Sequence, residues 1–213
     1  MSRPVKTRLY RSPARAERAA ATRSAILDAA AALFAGSGFA GTTVAAVART
    51  AGVSVDTVYA SVGRKPELLL AVHDRALAGG RDGTASRDRD YVAWIRAAAS
   101  TAEKLELYAE ALADRLPHSV PLAEALRDAA SHDPACRAVW EGLEGRRRAG
   151  MLAMAADLRA GGGLRGDLDD EEVAQRLWMT NAPEYYRLAT AGGRGPQDYA
   201  AHLRDVWART LLA

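Results

Sequence analysis

Apolar side chains recur in this sequence at intervals of three and four residues, in segments that end at glycine or proline. In the first clear segment, residues 26–34, apolar positions follow the spacing of a helix with one buried face. Alanine, the strongest helix former, is abundant, whereas Val, Ile and Phe, which favour strands, are not. The pattern predicts an all-α protein.

Capping residues, prolines and glycines divide the chain into about nine predicted helices. These helices are predicted to begin near Thr22, Thr43, Ser54, Pro66, Ser100, Ser119 or Pro121, Asp133, 167–172 and Pro196. Gly36 and Gly38 are expected to end the first helix. Pro183 lies inside an otherwise helical run and predicts a break near 179–182, which frees a carbonyl that could line a pocket or shape a dimer surface.

This division also predicts the domain organisation. Residues 1–20 are basic and lack an apolar stripe, which predicts a flexible arm. Residues 21–66 are predicted to form a small head and residues 67–213 a larger helical body, with the boundary inside the fourth helix. Residues 79–90 are rich in Gly, Asp, Arg and Ser, and predict a mobile loop.

The net charge of +3 conceals an uneven distribution. Residues 1–65 contain ten Lys or Arg and three acidic residues, a net charge of +7, so the remaining residues, with 19 basic and 23 acidic, carry −4. Lys and Arg side chains that neutralise phosphates are the main source of affinity for nucleic acids. The basic head suggests a polyanionic partner, although basic N-terminal segments also occur as solubilising tails.

The sequence lacks the residue patterns that several classes of function require. The four histidines are not spaced as metal ligands, and the single cysteine, Cys136, excludes an intramolecular disulfide. Residues 161–166 contain glycines but no Lys-Ser/Thr pair, so they indicate a helix stop rather than a phosphate-binding loop. We therefore expect no enzyme, no cofactor and no metal. No apolar run near 18 residues and no signal segment is evident, which predicts a soluble cytoplasmic protein with no membrane association.

Residues 44–62 have the pattern of a helix-turn-helix. Two closely crossing helices need a small residue midway along the first helix, and a glycine that can take a positive φ in the turn. Ala48 supplies the small residue and Gly52 supplies the turn. The apolar contacts between the helices are expected from Val47, Ala51, Val53 and Val58. The pattern favours DNA binding, and an ordinary αα-hairpin is the alternative.

Residues 22–72 resemble the head of the TetR family of transcriptional regulators. The resemblance rests on the order and spacing of Ala29, Leu33, Phe34, Gly38, Phe39, Thr42, Thr43, Val44, Val47, Ala48, Ala51, Gly52, Val53, Ser54, Thr57, Val58, Tyr59, Lys65 and Leu68. It implies an N-terminal three-helix DNA-binding head followed by a helical ligand-binding and dimerisation body.

The resemblance also implies a set of contacts to double-stranded operator DNA. Thr43 corresponds to a residue that meets a phosphate at a helix N-terminus. The recognition helix begins after Ser54, and its first residues would face base edges in the major groove. Tyr59 and Lys65 correspond to phosphate contacts, although Tyr59 could be a packing residue and Lys65 a solvated lysine. The predicted DNA-binding residues are Thr43, Ser54, Val55, Asp56, Thr57, Tyr59, Arg64 and Lys65.

Some positions depart from the family pattern. Ala60, Ser61 and Val62 stand where many members have His, an aromatic residue and Phe, and Arg64 stands in place of a capping serine. Asp56 would repel phosphate, although a carboxylate can accept a hydrogen bond from the cytosine amino group. We hypothesise that the basic arm and Arg64 compensate for the DNA interactions that the residues after Tyr59 do not supply.

For the body, the resemblance implies a homodimer in which the last two helices, about 170–191 and 196–212, form a four-helix bundle with the partner. The apolar residues of these helices could be interface or monomer core; they include Leu177, Leu203, Val206, Trp207 and Leu211. Residues 146–148, all arginine, are expected to form a solvated face, with Glu144 and Arg148 paired at i, i+4.

The central helices of this family surround a small-molecule pocket. Aromatic and Met side chains on the apolar stripes suit an adaptable, partly apolar cavity, but could equally be core. The pocket candidates are Trp94, Tyr108, Trp140, Met151, Met154, Trp178 and Tyr185.

These features predict a sequence-specific DNA-binding transcriptional regulator. The resemblance implies a repressor, the usual role in the family, that an unidentified small molecule releases from a palindromic operator; the sequence itself leaves repression and activation open. In the family mechanism, the ligand favours one setting of the fourth helix and so weakens DNA binding. The alternative is a constitutive dimeric DNA-binding protein that has no ligand.

Overall fold

The structure, a computed structural model, describes residues 13–79 and 90–213. In these residues the chain forms ten α-helices and no β-strand, which confirms the all-α class. The helices are α1 (Pro13–Gly41), α2 (Val44–Ala51), α3 (Val55–Ser61), α4 (Lys65–Leu77), α5 (Asp90–Ala97), α6 (Thr101–Ala130), α7 (Pro134–Ala160), α8 (Asp170–Thr180), α9 (Pro183–Ala189) and α10 (Pro196–Leu211).

Helix α1 begins earlier and ends later than predicted. Residues 13–20 of the predicted arm are helical, because proline suits the first turn of a helix and the residues that follow are largely alanine. Residues 1–12 of the arm lie outside the described residues. Gly36 does not end the helix, but Gly38 interrupts it with a φ of 67° and a ψ of 179°, which a residue with a side chain rarely adopts.

One described helix is long and apolar enough to cross a membrane, judged by length and composition alone, and it is Ala14–Gly41 of α1. The expectation of no such apolar run was wrong, because a run of alanines with few charges meets the same criterion. Ile26, Leu27 and Ala30 of this helix are buried in the structure. A core helix of a soluble protein and a signal sequence near the N-terminus can both have this length and composition.

The chain divides into two compact units between Leu68 and Leu69, within α4. In the first unit, α2 and α3 pack on α1 and on each other. Of the residues predicted to pack the helices together, Val47, Ala48 and Val58 are buried, whereas Ala51 and Val53 are half-buried.

In the second unit, α6 is the central helix and contacts α5, α7, α9 and α10, while α8 packs on α7. The rings of Tyr108 and Trp207 stack with centroids 5.5 Å apart. Four of the residues that could have been interface or core are completely buried within this one chain, and Val206 is partly buried. The four are Leu177, Leu203, Trp207 and Leu211.

Thr180, the last residue of α8, joins this helix to α10. Its hydroxyl accepts a hydrogen bond from Trp207 Nε1 at 2.9 Å, and its carbonyl accepts one from the Tyr199 hydroxyl at 2.7 Å. The Thr180 hydroxyl in turn donates to the carbonyl of Arg176 at 2.7 Å. Burial raises the pKa of Tyr199, which keeps its hydroxyl protonated as a donor.

Three differences account for ten helices where about nine were predicted. Helix α5 was not predicted; it begins where the predicted loop ends, and residues 80–89 of that loop lie outside the described residues. The predicted helix start at Ser119 or Pro121 was wrong, because α6 continues through Pro117 and Pro121. The predicted break at Pro183 is confirmed, and it separates α8 from α9.

Candidate nucleic-acid interface and ligand cavity

Thr43 caps the N-terminus of α2 with its side chain. Its backbone is extended, and its Oγ1 accepts a hydrogen bond from the backbone N–H of Ala46 at 3.1 Å. Thr43 is also exposed to solvent. A helix N-terminus of this kind presents backbone N–H groups to an anion. The arrangement therefore suits the phosphate contact that the sequence implied.

The turn between α2 and α3 is built on Gly52, which has a φ of 69° and a ψ of 29°. This left-handed conformation allows the N–H of Val53 to bond to the carbonyl of Ala48 at 3.0 Å. The glycine turn predicted for the helix-turn-helix is confirmed.

Ser54 and Thr57 form the cap of α3. The Ser54 hydroxyl accepts from the backbone N–H of Thr57 at 3.1 Å, and the two side-chain oxygens are hydrogen-bonded at 2.8 Å. Both hydroxyls are therefore used within the head. Asp56 is exposed and Val55 is half-buried at the start of the same helix. Asp56 therefore places an exposed carboxylate on the first turn of α3.

Tyr59 and Arg64 line an open surface groove together with Gly63 and Glu67. Tyr59 is 48% exposed, so it is not a core residue. Arg64 is also exposed, and its carbonyl accepts the first backbone hydrogen bond of α4, from Leu68 at 2.9 Å. The tyrosine hydroxyl and the guanidinium group thus border one continuous surface of the head.

The Lys65 ammonium group lies against the end of α1. It is 4.2 Å from the centroid of the Phe39 ring and 3.4 Å from the carbonyl oxygen of Ala40, to which it donates. Both contacts hold the ammonium group at the C-terminal end of α1. Lys65 therefore has a packing role beside the predicted phosphate contact.

Arg23 was counted only as part of the basic charge of the head. In the structure its Nη1 donates to the carbonyl of Ser61 at 2.5 Å, at the C-terminal end of α3. A cation at this end satisfies a terminal carbonyl and complements the helix dipole. Arg23 thus holds the recognition helix to α1, which no local pattern in the sequence indicated.

The body contains a cavity of about 100 Å³. Its apolar wall comes mainly from α6 and α7, and includes Leu112, Leu116, Val120, Ala123, Leu143 and Met151. Three of the seven pocket candidates, Tyr108, Trp140 and Met151, line this cavity. The other four lie elsewhere in the body.

Those four candidates have other surroundings. Trp94 is 65% exposed on α5. Tyr185 stacks on His202 and its hydroxyl is 2.7 Å from His202 Nε2, while Trp178 faces the guanidinium groups of Arg147 and Arg148. Met154 packs against the body core.

A hydrogen-bonded network forms the polar part of the cavity wall. Asn181 Nδ2 donates to the Tyr108 hydroxyl at 2.7 Å. Arg147 donates to Asn181 Oδ1 at 2.6 Å and to Glu144 Oε1 at 2.6 Å. The network therefore joins α6 and α7 to the end of α8.

The expectation that residues 146–148 form a solvated face was wrong for Arg147. Its side chain is only 17% exposed and pairs with Glu144 at i, i+3, whereas the sequence pattern had predicted Glu144 with Arg148. The break before Pro183 supplies the reason. Ala182 N–H bonds to the Met179 carbonyl, which leaves the Trp178 carbonyl to accept from Arg147 at 3.3 Å. Asn181 and Pro183, on either side of Ala182, both line the cavity.

Helix α4 also contributes to the cavity, through His73 and Leu77. Between them, Asp74 forms two hydrogen bonds with Arg146 of α7, at 3.2 and 3.3 Å. The second half of α4 is therefore tied to α7 beside the cavity.

Comparison with known proteins finds a family match for the head and a shared fold for the described helices. Residues 26–72 match the family model for bacterial regulatory proteins, tetR family. No curated protein sequence matches the chain. A TetR-family transcriptional regulator from Rhodococcus sp. is 22% identical, with a TM-score of 0.68 over 90% of this chain and 98% of its own.

Two further solved structures have the same fold. A transcriptional regulator from Saccharomonospora viridis, in complex with choline, is 21% identical, with a TM-score of 0.65 over 90% of this chain and 97% of its own. The fatty acid degradation regulator FadR from Bacillus halodurans is 16% identical, with a TM-score of 0.61 over 87% of this chain and 93% of its own. Residues 26–72 thus match the head of the TetR family, and the described helices have the fold of solved TetR-family transcriptional regulators.

Proposed function

We propose that this protein is a cytoplasmic homodimeric repressor that a small molecule releases from a two-fold symmetric operator. Residues 21–66 would be the DNA-binding domain and residues 67–213 the ligand-binding and dimerisation domain. The main support is the head surface, where the capped starts of α2 and α3 lie with exposed Thr43, Asp56, Tyr59 and Arg64.

Selection of bound duplexes from a randomised pool, at near-physiological salt, tests the DNA-binding part of the proposal. Two-fold symmetry in the protein predicts a palindromic site with half-sites about 34 to 36 Å apart, or a multiple of this. Recovery of no motif would contradict sequence-specific binding.

Arg64→Gln should then weaken binding and reduce the salt slope by about 1, as expected when one phosphate contact is removed. Arg194→Gln, an exposed arginine of the body, is the matched control.

The basic arm is proposed to supply phosphate contacts in place of those that Ala60, Ser61 and Val62 do not make. Four basic residues of the arm precede residue 13. Deletion of residues 2–12 leaves α1 intact and should lower both the affinity and the salt slope. Unchanged values for both would overturn this compensation.

The dimer surface is proposed to include the exposed apolar residues of α8 and α9, since the large apolar residues of α10 are already buried in the core. Met179 is 46% exposed and Leu188 is 77% exposed. Leu188→Glu should shift the protein toward monomer in sedimentation measurements, whereas Trp94→Glu, on α5, should not. A monomeric wild-type protein would refute the dimer.

The cavity supports the ligand-responsive part of the proposal, because His73 and Leu77 of α4 form part of its wall. The Saccharomonospora viridis regulator, which was solved with choline, has the same fold. Ligand should weaken operator binding, and operator should weaken ligand binding by the same factor. Unequal factors would refute this coupling, and operator binding that no compound alters would favour the constitutive alternative.

A further inference from the structure

We infer that the body cavity binds an uncharged molecule of about one ring that carries a hydrogen-bond-accepting oxygen, as in a small ketone or ester. The inference rests on the proposed function, because it names the class of ligand for the same cavity. Three properties of the wall support it: its volume, its paired charges and two donors that share a weak acceptor.

The volume limits the size of the ligand. The cavity measures about 100 Å³, and a buried apolar cavity of about 150 Å³ holds a benzene molecule. This cavity has about two-thirds of that volume, so it admits one small ring at most. A fused polycyclic compound or a long acyl chain would require its walls to move apart.

The carboxylate and the two guanidinium groups of the wall, those of Glu144, Arg146 and Arg147, are already paired within the protein. Glu144 and Arg147 form an ion pair at 2.6 Å, and Asp74 pairs with Arg146 through two hydrogen bonds. To gain a counter-charge in this apolar cavity, a charged ligand would have to break one of these pairs. Entry without a counter-charge is costly, and so is disruption of the Glu144–Arg147 pair, whose side chains are only 24% and 17% exposed. The wall therefore favours a neutral ligand.

Two donors converge on one thioether sulfur in the wall. The Tyr108 hydroxyl and Asn181 Nδ2 lie 3.5 and 3.2 Å from Met151 Sδ, and both donate to it. A thioether is a weak acceptor, and the flexible Met side chain can change rotamer easily. A carbonyl oxygen at the position of the sulfur would accept from both donors with a stronger bond. The geometry thus selects an accepting oxygen.

The first experiment compares four probes of similar size on the full chain, by calorimetry or thermal shift. The probes are cyclohexanone, methylcyclohexane, cyclohexanecarboxylate and cyclohexylammonium. Cyclohexanone should bind about tenfold more tightly than methylcyclohexane, because its carbonyl oxygen would accept two hydrogen bonds of modest net strength from Tyr108 and Asn181. The two charged probes should bind more weakly than either. Tighter binding of a charged probe, or no binding of any probe up to its solubility limit, overturns the inference.

The second experiment removes one partner at a time. Tyr108→Phe should weaken cyclohexanone binding about fivefold and leave methylcyclohexane binding unchanged. Tyr186→Phe is the control, because Tyr186 is buried in the same body but does not line the cavity. Met151→Leu removes the sulfur with little change of volume, and should increase the preference for cyclohexanone. If neither Tyr108→Phe nor Met151→Leu changes the preference, the assignment of these donors is wrong.

Operator binding separates this inference from the proposed function. If cyclohexanone binds as expected but leaves operator affinity unchanged, the ligand class stands and the ligand-responsive function fails. If a charged compound releases the operator and competes for the cavity, the function stands and the ligand class fails.

Discussion

The head and the body arrange their polar groups in opposite ways. In the head, hydroxyl groups cap exposed helix starts, as Ser54 does with Thr57 three residues away. In the body, polar side chains meet across long distances in sequence, as Tyr108 and Asn181 do across 73 residues, and both are buried. The polar groups at these helix starts therefore lie at the surface of the head, whereas Tyr108 and Asn181 are paired inside the body.

Because of this difference, function and stability should depend on separate residues in the head, but on the same residues in the polar network of the body. A residue on the head surface can be changed with little effect on folding, because its side chain touches few others. A residue in the polar network of the body supports neighbouring helices as well as the cavity. Substitutions in the body should therefore cost more stability than those on the head surface, and four measurements test this.

The largest effect is expected in the core of the body. Trp207 is completely buried and stacks on Tyr108, so Trp207→Ala should lower the free energy of unfolding by about 3 to 5 kcal/mol. Trp94→Ala, at a residue that is 65% exposed, should lower it by less than about 1 kcal/mol. Urea unfolding of both variants measures the difference, and equal losses would contradict the assigned core.

The second effect tests the polar network. Arg147→Met leaves Glu144 and the Trp178 carbonyl without their partner, and should cost about 2 to 4 kcal/mol. Arg148→Met, at the next residue, is exposed and should cost less than about 1 kcal/mol. Chemical denaturation measures both, and a cost below about 1 kcal/mol for Arg147→Met would mean that the body network adds little stability.

A smaller effect is expected in the head turn. Gly52→Ala places a side chain at a φ of 69°, and should destabilise the head by about 1 kcal/mol. Gly142→Ala, inside α7 with open space around it, should stabilise its helix by about 0.5 to 1 kcal/mol. Hydrogen exchange shows whether each change in stability lies in the head or in the body. If Gly52→Ala leaves the stability of the head unchanged, the turn does not require glycine.

The smallest effect on stability is expected for Tyr59→Ala, at less than about 0.5 kcal/mol, because the side chain is 48% exposed. Its effect on DNA should be larger, about a tenfold loss of operator affinity. Thermal unfolding and a binding titration measure the two quantities on the same sample. A stability loss above about 1 kcal/mol without loss of affinity would mean that Tyr59 is a packing residue.

The same contrast explains what could be predicted from the sequence. The caps at Thr43 and Ser54 and the turn at Gly52 are local signals, since each depends on residues within four positions. The role of Arg147 was missed because its partner Asn181 is 34 residues away. The Arg23 contact to Ser61 was missed for the same reason, at 38 residues.

Helix α6 shows a second limit. Pro117 and Pro121 favour helix ends in isolation, yet α6 continues through both because it packs against four other helices. Within the helix, the Ser119 hydroxyl donates to the carbonyl of Arg115. Tertiary packing of α6 therefore outweighed the local tendency of proline to end a helix.

The position of Thr180 has a practical consequence for engineering. A biosensor built on this chain would need a cavity wall that can be varied and a scaffold that stays fixed. Thr180→Val keeps the shape of the side chain but leaves the indole N–H of Trp207 without an acceptor. A mutant library should therefore vary apolar wall positions such as Leu112 and Leu116, and keep Thr180 and the two aromatic residues that bond to it.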